Sequence, residues 1–476
     1  PLGVFSIFIF LFILFGAFLD RMGAADYYCR LSMAVAGRLR GGPAKAAVFA
    51  SALTGSITGS ANANVATTGP FTIPMMKKTG FKAEIAAGIE TAASTGGQVM
   101  PPIMGASALL IVEFTGISYW EVVKVSILPC ALYFLSVYNI VHLEARKGGL
   151  VGLPADQLER TWQVLKEGWY YLLPPFIIII ALMYGYGVPF SGLIGILSII
   201  ILAALKGMLT LFQKSRSNGI GASDIFASIG RGIGNIVGAL ESGAIRSLPI
   251  CAAVGAVGLV MGTLFQTGLG IKFSTMMISL AGDNLFLAIV LVGVASFVLG
   301  MGLPTSAAYI VLSVMAVPAL LEIGAPWSLS LLGAHLIVFW FSLDSSFTPP
   351  VCVPAYTAAG IADADPSKAA WAAFRTAKGM YVIPVMFAFT PILLLDQPIA
   401  LAQTMIAAIC GFFALAPAIV GFMYVKVETP ERLVLGAAAL AMFWPSLVTQ
   451  LVGGAILAII FMSQRSRYAK IETAAA

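Results

Sequence analysis

Asp344 stands in the stretch Ser342-Leu343-Asp344-Ser345-Ser346-Phe347-Thr348-Pro349-Pro350, with apolar sequence before and after it. Upstream, Gly300-Met301-Gly302-Leu303-Pro304-Thr305-Ser306 interrupts another apolar run. The same pair of interruptions occurs earlier: Gly55-Ser56-Ile57-Thr58-Gly59-Ser60-Ala61-Asn62-Ala63-Asn64, then Ser94-Thr95-Gly96-Gly97-Gln98-Val99-Met100-Pro101-Pro102. The chemistry these residue types offer is ion coordination. A broken helix bares carbonyl oxygens where one half ends and N–H groups where the next begins. Carbonyl, hydroxyl and carboxamide oxygens suit a hard cation, and the freed N–H groups suit an anion. Glycine lets the backbone turn its oxygens inward, and the Pro-Pro pairs keep the helical ladder from closing.

Two sodium sites are expected on this basis. One lies between Ser56, Gly59 and Ser60 on one side and Thr95, Gly96 and Gly97 on the other. The second lies between Gly300 and Gly302 on one side and Asp344, Ser345 and Thr348 on the other. An organic substrate is expected between the two tips, held by Asn62, Asn64, Thr305 and Ser306. Each hydroxyl has a competing role, a bond to the carbonyl four residues back in its own helix. Asp344 is the sharpest single residue, because an ionisable group at membrane depth is costly and usually functional. It can ligate sodium, orient the unwound segment or cap a helix. Glu113 reads as interfacial. Glu90, near the first break, argues for proton coupling if it is protonatable.

The elements that position these residues follow from composition. The chain has 476 residues, 59% of them hydrophobic and 10% charged, with a mean hydropathy of +0.95. A soluble domain carries about 25% charged residues, so lipid must be the solvent here. The net charge of +6 comes from basic residues set singly in short connectors, which reads as loop asymmetry and argues against nucleic-acid binding. The five cysteines are scattered and read as small buried side chains, and the two histidines lie far apart. That pattern argues against a transition-metal site. The start at Pro1-Leu2-Gly3 falls inside an apolar run, without initiator Met or signal peptide, and is expected to follow further membrane protein upstream.

Along the chain, residues 4–19 read as a membrane helix and 26–40 as an amphipathic interfacial helix. Residues 44–56 and 64–76 read as two arms too short to span separately, joined in a re-entrant hairpin. Residues 81–93 and 103–114 are the halves of a broken span, and 119–142 is a full one. Residues 167–185 and 188–205 are two more spans, 206–218 a basic connector, 223–246 a surface helix and 248–264 a span. The pattern then returns: hairpin arms at 285–299 and 307–321, a broken span at 329–343 and 351–361, and a surface helix at 363–375. Residues 381–394, 399–423 and 433–462 are further spans.

The two sets share an order of hairpin, Pro-x5-Gly (Pro74 to Gly80; Pro318 to Gly324), break and Pro-Pro, and each broken span ends at Gly-Ile. Lys and Arg in short loops favour the cytoplasm. The first hairpin is flanked by Arg21, Arg30, Arg38, Arg40, Lys45, Lys77, Lys78 and Lys82, the second by Lys272, Asp283 and Glu322. The repeats are therefore expected to be inverted, with tips meeting near the midplane, where such transporters place their sites. The fold expected is all-α and polytopic, with inverted repeats, two re-entrant hairpins and two broken helices. Its divisions are residues 1–42 (scaffold), 43–117 (first transport repeat), 118–284 (scaffold), 285–362 (second transport repeat) and 363–476 (interfacial helix and terminal spans). A multi-span protein with ordinary Gly and Pro kinks is the plainer alternative, which does not account for repetition in order.

At Arg40-Gly41-Gly42-Pro43-Ala44, Gly55 to Gly69, Ser94 to Pro102 and Thr348-Pro349-Pro350 the chain resembles the large membrane subunit of TRAP transporters, the tripartite ATP-independent periplasmic transporters. His142-Leu143-Glu144-Ala145-Arg146 and the extra terminal spans are similar to fused TAXI-type permeases. The likeness runs from Pro1 to about Gln397. It implies an ion-transporter-like elevator fold and a bacterial or archaeal cytoplasmic (inner) membrane symporter driven by sodium, with an elevator mechanism and no cofactor beyond the coupling ions. It also implies a periplasmic substrate-binding protein that delivers an organic anion, and a small membrane subunit or fused N-terminal domain. Two departures stand out. The first tip reads Gly59-Ser60-Ala61-Asn62 where many relatives carry Gly-Ser-Ser, which leaves one hydroxyl ligand open. Asp344-Ser345-Ser346-Phe347 is more polar than the usual Gly-rich stretch.

The alternatives are a sodium or proton/dicarboxylate symporter that needs no binding protein, an intramembrane enzyme, and a channel. The enzyme would need a nucleophile and base, or two facing aspartates, and Asp344 has no evident partner in the sequence. A channel would conduct without saturation.

Overall fold

Backbone polar groups have no water to bond in lipid, so a chain this apolar satisfies them within helices. The computed structural model describes residues 2–218 and 222–475. Within them the regular structure is helical, apart from one isolated bridge between Phe422 and Lys426. Among the described residues, seven helices are long and apolar enough to cross a membrane. A bent pair, Ala155–Tyr171 with Leu173–Met183 at 53°, makes eight if counted as one span.

Four of the elements carry the breaks. The first hairpin is Gly42–Thr58 and Ala61–Lys78. Its turn is set locally: Gly59, at φ +62°, ends the first arm with its N–H on Gly55 O, and Ser60 opens the second by accepting from Ala63 N–H at 3.4 Å. This is a left-handed C-cap followed by a serine N-cap. The second hairpin is Leu285–Gly300 and Thr305–Gly324, with Asn284 capping the first arm and Pro304 preceding the second. The first broken helix comprises Ala83–Gly97 and Ala106–Thr115. The second comprises Leu331–Ser342, the short turn Asp344–Ser346 and Val353–Ala362. The Pro101–Pro102 and Pro349–Pro350 peptide bonds, one in each break, are both cis.

The two halves exchange partners. Each hairpin's first arm packs on the first part of its own broken helix, Gly42–Thr58 on Ala83–Gly97 and Leu285–Gly300 on Leu331–Ser342. Each second arm packs on the last part of the other half's broken helix, Ala61–Lys78 on Val353–Ala362 and Thr305–Gly324 on Ala106–Thr115. Polar contacts seal the first exchange: Thr357 Oγ1 donates to Asn62 Oδ1 at 2.8 Å, and Lys77 Nζ donates to Ala362 O at 2.5 Å. Aromatic contact seals the second, with the Phe114 and Tyr309 ring centroids 6.0 Å apart. Outside the spans, Arg30 bridges Glu159 at 2.5 Å and Glu167 at 2.8 Å. Its hydrogen bonds hold both carboxyls below their ordinary range.

Several boundaries differ from expectation. The hairpin arms are longer, adding Gly42-Pro43 at one end and Lys77-Lys78 at the other in the first hairpin. At ~1.5 Å per residue the two arms measure about 26 and 27 Å, nearly the ~30 Å of a hydrocarbon core. Thr305–Trp327 is long enough to count as a span by itself. The expected surface helix at 223–246 and span at 248–264 are one helix, Ala222–Thr267. Packing against the N-terminal helix accompanies this continuity: Arg246 pairs with Asp20 at 2.6 Å, and Gly243 lies against Leu14. Likewise Val188–Asn218 runs through the expected basic connector. The expected single span at 433–462 is instead Thr429–Phe443 and Leu447–Ala475. Pro445, which has no N–H to give the ladder, stands between them.

Candidate functional site

Both hairpin tips and both breaks open on one cavity of about 350 Å³. The first tip contributes Gly59 to Asn62, the second Gly300 and Gly302 to Ser306. The first break contributes Gln98, Ala106 and Ser107, the second Ser345, Ser346, Val351, Val353 and Pro354. Four segments that are distant in sequence therefore converge, which is the arrangement needed to surround a small solute with backbone and hydroxyl groups.

Of the residues expected to bind substrate, Asn62, Thr305 and Ser306 line the cavity. Asn64 does not: it is fully buried between the arms, where its Nδ2 donates to Ser51 O at 2.9 Å, and its Oδ1 has no hydrogen-bond partner among the described residues. Of the residues expected to ligate sodium, Gly59, Ser60, Gly300, Gly302 and Ser345 line the cavity. Ser56 and Thr95 lie behind it, donating to Leu53 O and Thr91 O in their own helices at 2.8 and 2.9 Å. Gly96 and Gly97 are contact points. A Cβ on Gly96 would run into the Tyr133 ring, and one on Gly97 would lie 2.5 Å from Gly55 Cα. Thr348 Oγ1 is 2.5 Å from Tyr381 Oη, on the far side of the second break.

Asp344 sits one residue behind the wall at 1% exposure. Among the described residues neither carboxylate oxygen has a hydrogen-bond partner. A Cβ on Gly300 would be 3.7 Å from Oδ1, so the carboxylate faces the second hairpin's tip. A buried carboxyl without partners is costly, and a hard cation would satisfy both oxygens. Among the described residues no group of three or more His, Cys, Asp or Glu is placed to hold a metal ion. The donors here are carbonyl, hydroxyl and one carboxylate, the set of a hard monovalent or divalent cation.

Gln98, Pro249 and Ile250 were not among the residues expected at the site. Gln98 donates from Nε2 to Gly59 O at 3.3 Å and to Thr305 Oγ1 at 3.4 Å, joining the two tips. Its position at the end of an unwound helix was a signal for that role. Pro249 and Ile250, inside Ala222–Thr267, close another wall. Nothing in their local sequence marks them, because only tertiary packing brings that helix to the tips.

Fold and site define a multi-pass helical membrane protein with a solute-sized cavity between paired helical breaks. The family described as "Tripartite ATP-independent periplasmic transporter, DctM component" matches residues 1–399, and the chain belongs to it. A C4-dicarboxylate TRAP transporter large permease protein DctM of Pseudomonas aeruginosa is 31% identical over 154 residues, 32% of this chain and 35% of the relative. The protein of the same name in Vibrio cholerae is 30% identical over 177 residues, 37% of this chain and 38% of that one. Its counterpart in Rhodobacter capsulatus is 27% identical over 190 residues, 37% of this chain and 43% of that one. The chain thus spans between 35 and 43% of the length of these relatives.

Proposed function

We propose that this protein is the membrane-embedded part of a secondary active symporter that carries an organic anion inward with sodium. The single observation that carries this reading is the convergence of both tips and both breaks on one cavity, with the unpartnered Asp344 carboxylate beside it. The sodium of the second site would be held by Asp344 with oxygens of Gly300, Gly302 and Ser345. Asn62, Gln98, Thr305 and Ser306 would bind the solute, which the names of the matched relatives suggest is a C4-dicarboxylate or a similar anion. Helix ends and freed N–H groups at the tips supply the attraction for carboxylate oxygens. At the first site the Ser56 and Thr95 hydroxyls, which give their protons to carbonyls of their own helices, would keep oxygen lone pairs for a cation, beside the backbone oxygens of the tip and of Gly96 and Gly97.

The reciprocal packing of the halves supports inverted repeats, and the charge asymmetry supports a cytoplasmic first hairpin and an outward-facing second one. Residues 43–117 and 285–362 would move as one transport body against a scaffold. Pro366–Thr376 would travel with it, since a Cβ on Gly88 would be 2.7 Å from the backbone of Ala372 and Ala373. Sodium entering down its gradient supplies the work, about 2.3 kcal/mol per charge for each 100 mV. A periplasmic binding protein and a small membrane subunit or fused domain, in a bacterial inner membrane, complete the proposed assembly. Uptake of labelled C4-dicarboxylate into proteoliposomes, with and without a sodium gradient and with and without the soluble receptor, tests this. Receptor-dependent, sodium-driven accumulation is expected. Uptake indifferent to sodium overturns the coupling, and full uptake without receptor leaves a self-sufficient symporter instead.

A further inference from the structure

A second carboxyl group, unrelated to the tip cavity, is buried in the first half of the chain. Glu90, on Ala83–Gly97, has no exposed surface, and its hydrogen-bond partners among the described residues are all hydroxyls. Ser51 Oγ donates to Oε1 at 2.8 Å, Ser94 Oγ reaches the same oxygen at 3.2 Å, and Thr68 Oγ1 also contacts it. Thr72 Oγ1 lies 2.6 Å from Oε2. Both arms of the first hairpin and the first broken helix therefore close one polar cage.

Counting protons shows what the cage can do. Thr68 Oγ1 is also 2.9 Å from Asn64 O, and Thr72 Oγ1 is 3.0 Å from Thr68 O. A hydroxyl has one proton to donate. With both threonines turned toward Glu90, four donors satisfy an ionised carboxylate. With Thr72 alone turned back on its own helix, it can only accept from Glu90, and a proton on Oε2 then fills that bond while Ser51, Thr68 and Ser94 keep donating to Oε1. The same heavy-atom positions suit the charged and the neutral side chain, with hydroxyl rotation alone between them.

A route to the cage is also present. A cavity of about 220 Å³ lies between Ala24–Ala36, the two arms of the first hairpin and the connector at 157–159, and Thr72 is part of its wall. Its polar groups are Asp26, Cys29, Arg30, Gln157 and Glu159. The thiol of Cys29 is pushed up to about 12, by burial first and then by the negative fields of Glu90 and Asp26. We propose that Glu90 is a proton-binding site, loaded from water in this second cavity by way of the Thr72 hydroxyl.

The charges around it leave that role to the proton. On the surface helix, Arg30 is engaged by Glu159 and Glu167. On the first arm, Lys45 Nζ is 3.0 Å from His142 Nδ1 of the long helix Tyr119–Lys147. That helix also places Tyr133, which donates to Ala92 O. Lys77 and Lys78 are exposed at the far end of the second arm, and Lys82 and Glu84 open Glu90's own helix. Arg375, on Pro366–Thr376, is held by Glu144 at 2.5 Å. Val353–Ala362 brings Tyr356, whose hydroxyl donates to Pro350 O.

The test is infrared difference spectroscopy on the full chain in lipid, without substrate. A protonated-carboxyl C=O band that comes and goes with pH is expected in the wild type, absent in Glu90→Gln. Thr72→Val is expected to slow its hydrogen–deuterium exchange. A band that survives Glu90→Gln overturns the assignment, as does a wild type showing no such change over the pH range in which its helices persist. Exchange as fast in Thr72→Val as in the wild type overturns the route. Proton binding is read here with no transport step, so failure of this site and failure of the symport reading are distinguishable.

Discussion

Asp344 and Gln98 make the residue-scale case. Asp344 is buried and unpartnered beside Gly300. Removing its charge should weaken cation binding while leaving the helices intact. One charge-assisted contact contributes roughly 1.5 kcal/mol or more, which is about a tenfold change in affinity. Asp344→Asn is therefore expected to raise the sodium concentration for half-maximal uptake about tenfold, with the circular dichroism spectrum unchanged. An unaltered sodium dependence would remove Asp344 from the site. Gln98 makes two long hydrogen bonds, one to each tip, together contributing on the order of 1 kcal/mol. Gln98→Leu is expected to lower uptake efficiency about fivefold, and unchanged kinetics would make the bridge incidental.

At the scale of elements, much was legible in the sequence because the breaks are written in residue types. Gly59 and Ser60 dictate a turn whatever surrounds them, so the first hairpin tip could be read from the chain itself. The same local logic hid what tertiary packing decides. Asn64 looked like a tip residue, but it lies a turn inside the second arm and bonds back to Ser51. Residues 223–246 read as a surface helix separate from the span after it, yet Gly243 is where the continuous helix Ala222–Thr267 meets Leu14. Glycines in the breaks also divide by role. Gly55 and Gly97 meet backbone to backbone, a Cβ on either lying 2.5 Å from the other's Cα. Gly302 has φ +82° and open space for 4 Å around the position a Cβ would take, so a substitution there meets strain rather than a neighbour. Gly55→Ala should destabilise by roughly 1–3 kcal/mol through overpacking, and Gly302→Ala by about 1–2 kcal/mol from the left-handed backbone alone. Thermal unfolding in detergent should accordingly rank Gly55→Ala below Gly302→Ala. The reverse order would mean that the hairpin and broken helix are not clamped at Gly55 and Gly97.

At the scale of the whole molecule, the question is whether the first hairpin moves against the long helix Tyr119–Lys147. Their contacts are few in kind but specific. Lys45 Nζ reaches His142 Nδ1 at 3.0 Å and lies 4.6 Å from the centre of the Tyr138 ring. The Phe49 and Tyr138 ring centroids are 6.2 Å apart. In an elevator these contacts belong to one end of the stroke and must break during each cycle, because hairpin and long helix lie on opposite sides of the sliding surface. A symporter that only opened and closed its tips would keep them throughout. Lys45→Cys with His142→Cys, in a chain whose five native cysteines are replaced by alanine, places two thiols across that surface. Joining them with a short bifunctional reagent is expected to abolish uptake while leaving sodium binding measurable, and cleaving the reagent should restore it. Undiminished uptake in the joined protein would mean that the first hairpin and Tyr119–Lys147 travel together. The moving boundary would then lie elsewhere, among the second hairpin's contacts with Ala222–Thr267 and Leu269–Ala281.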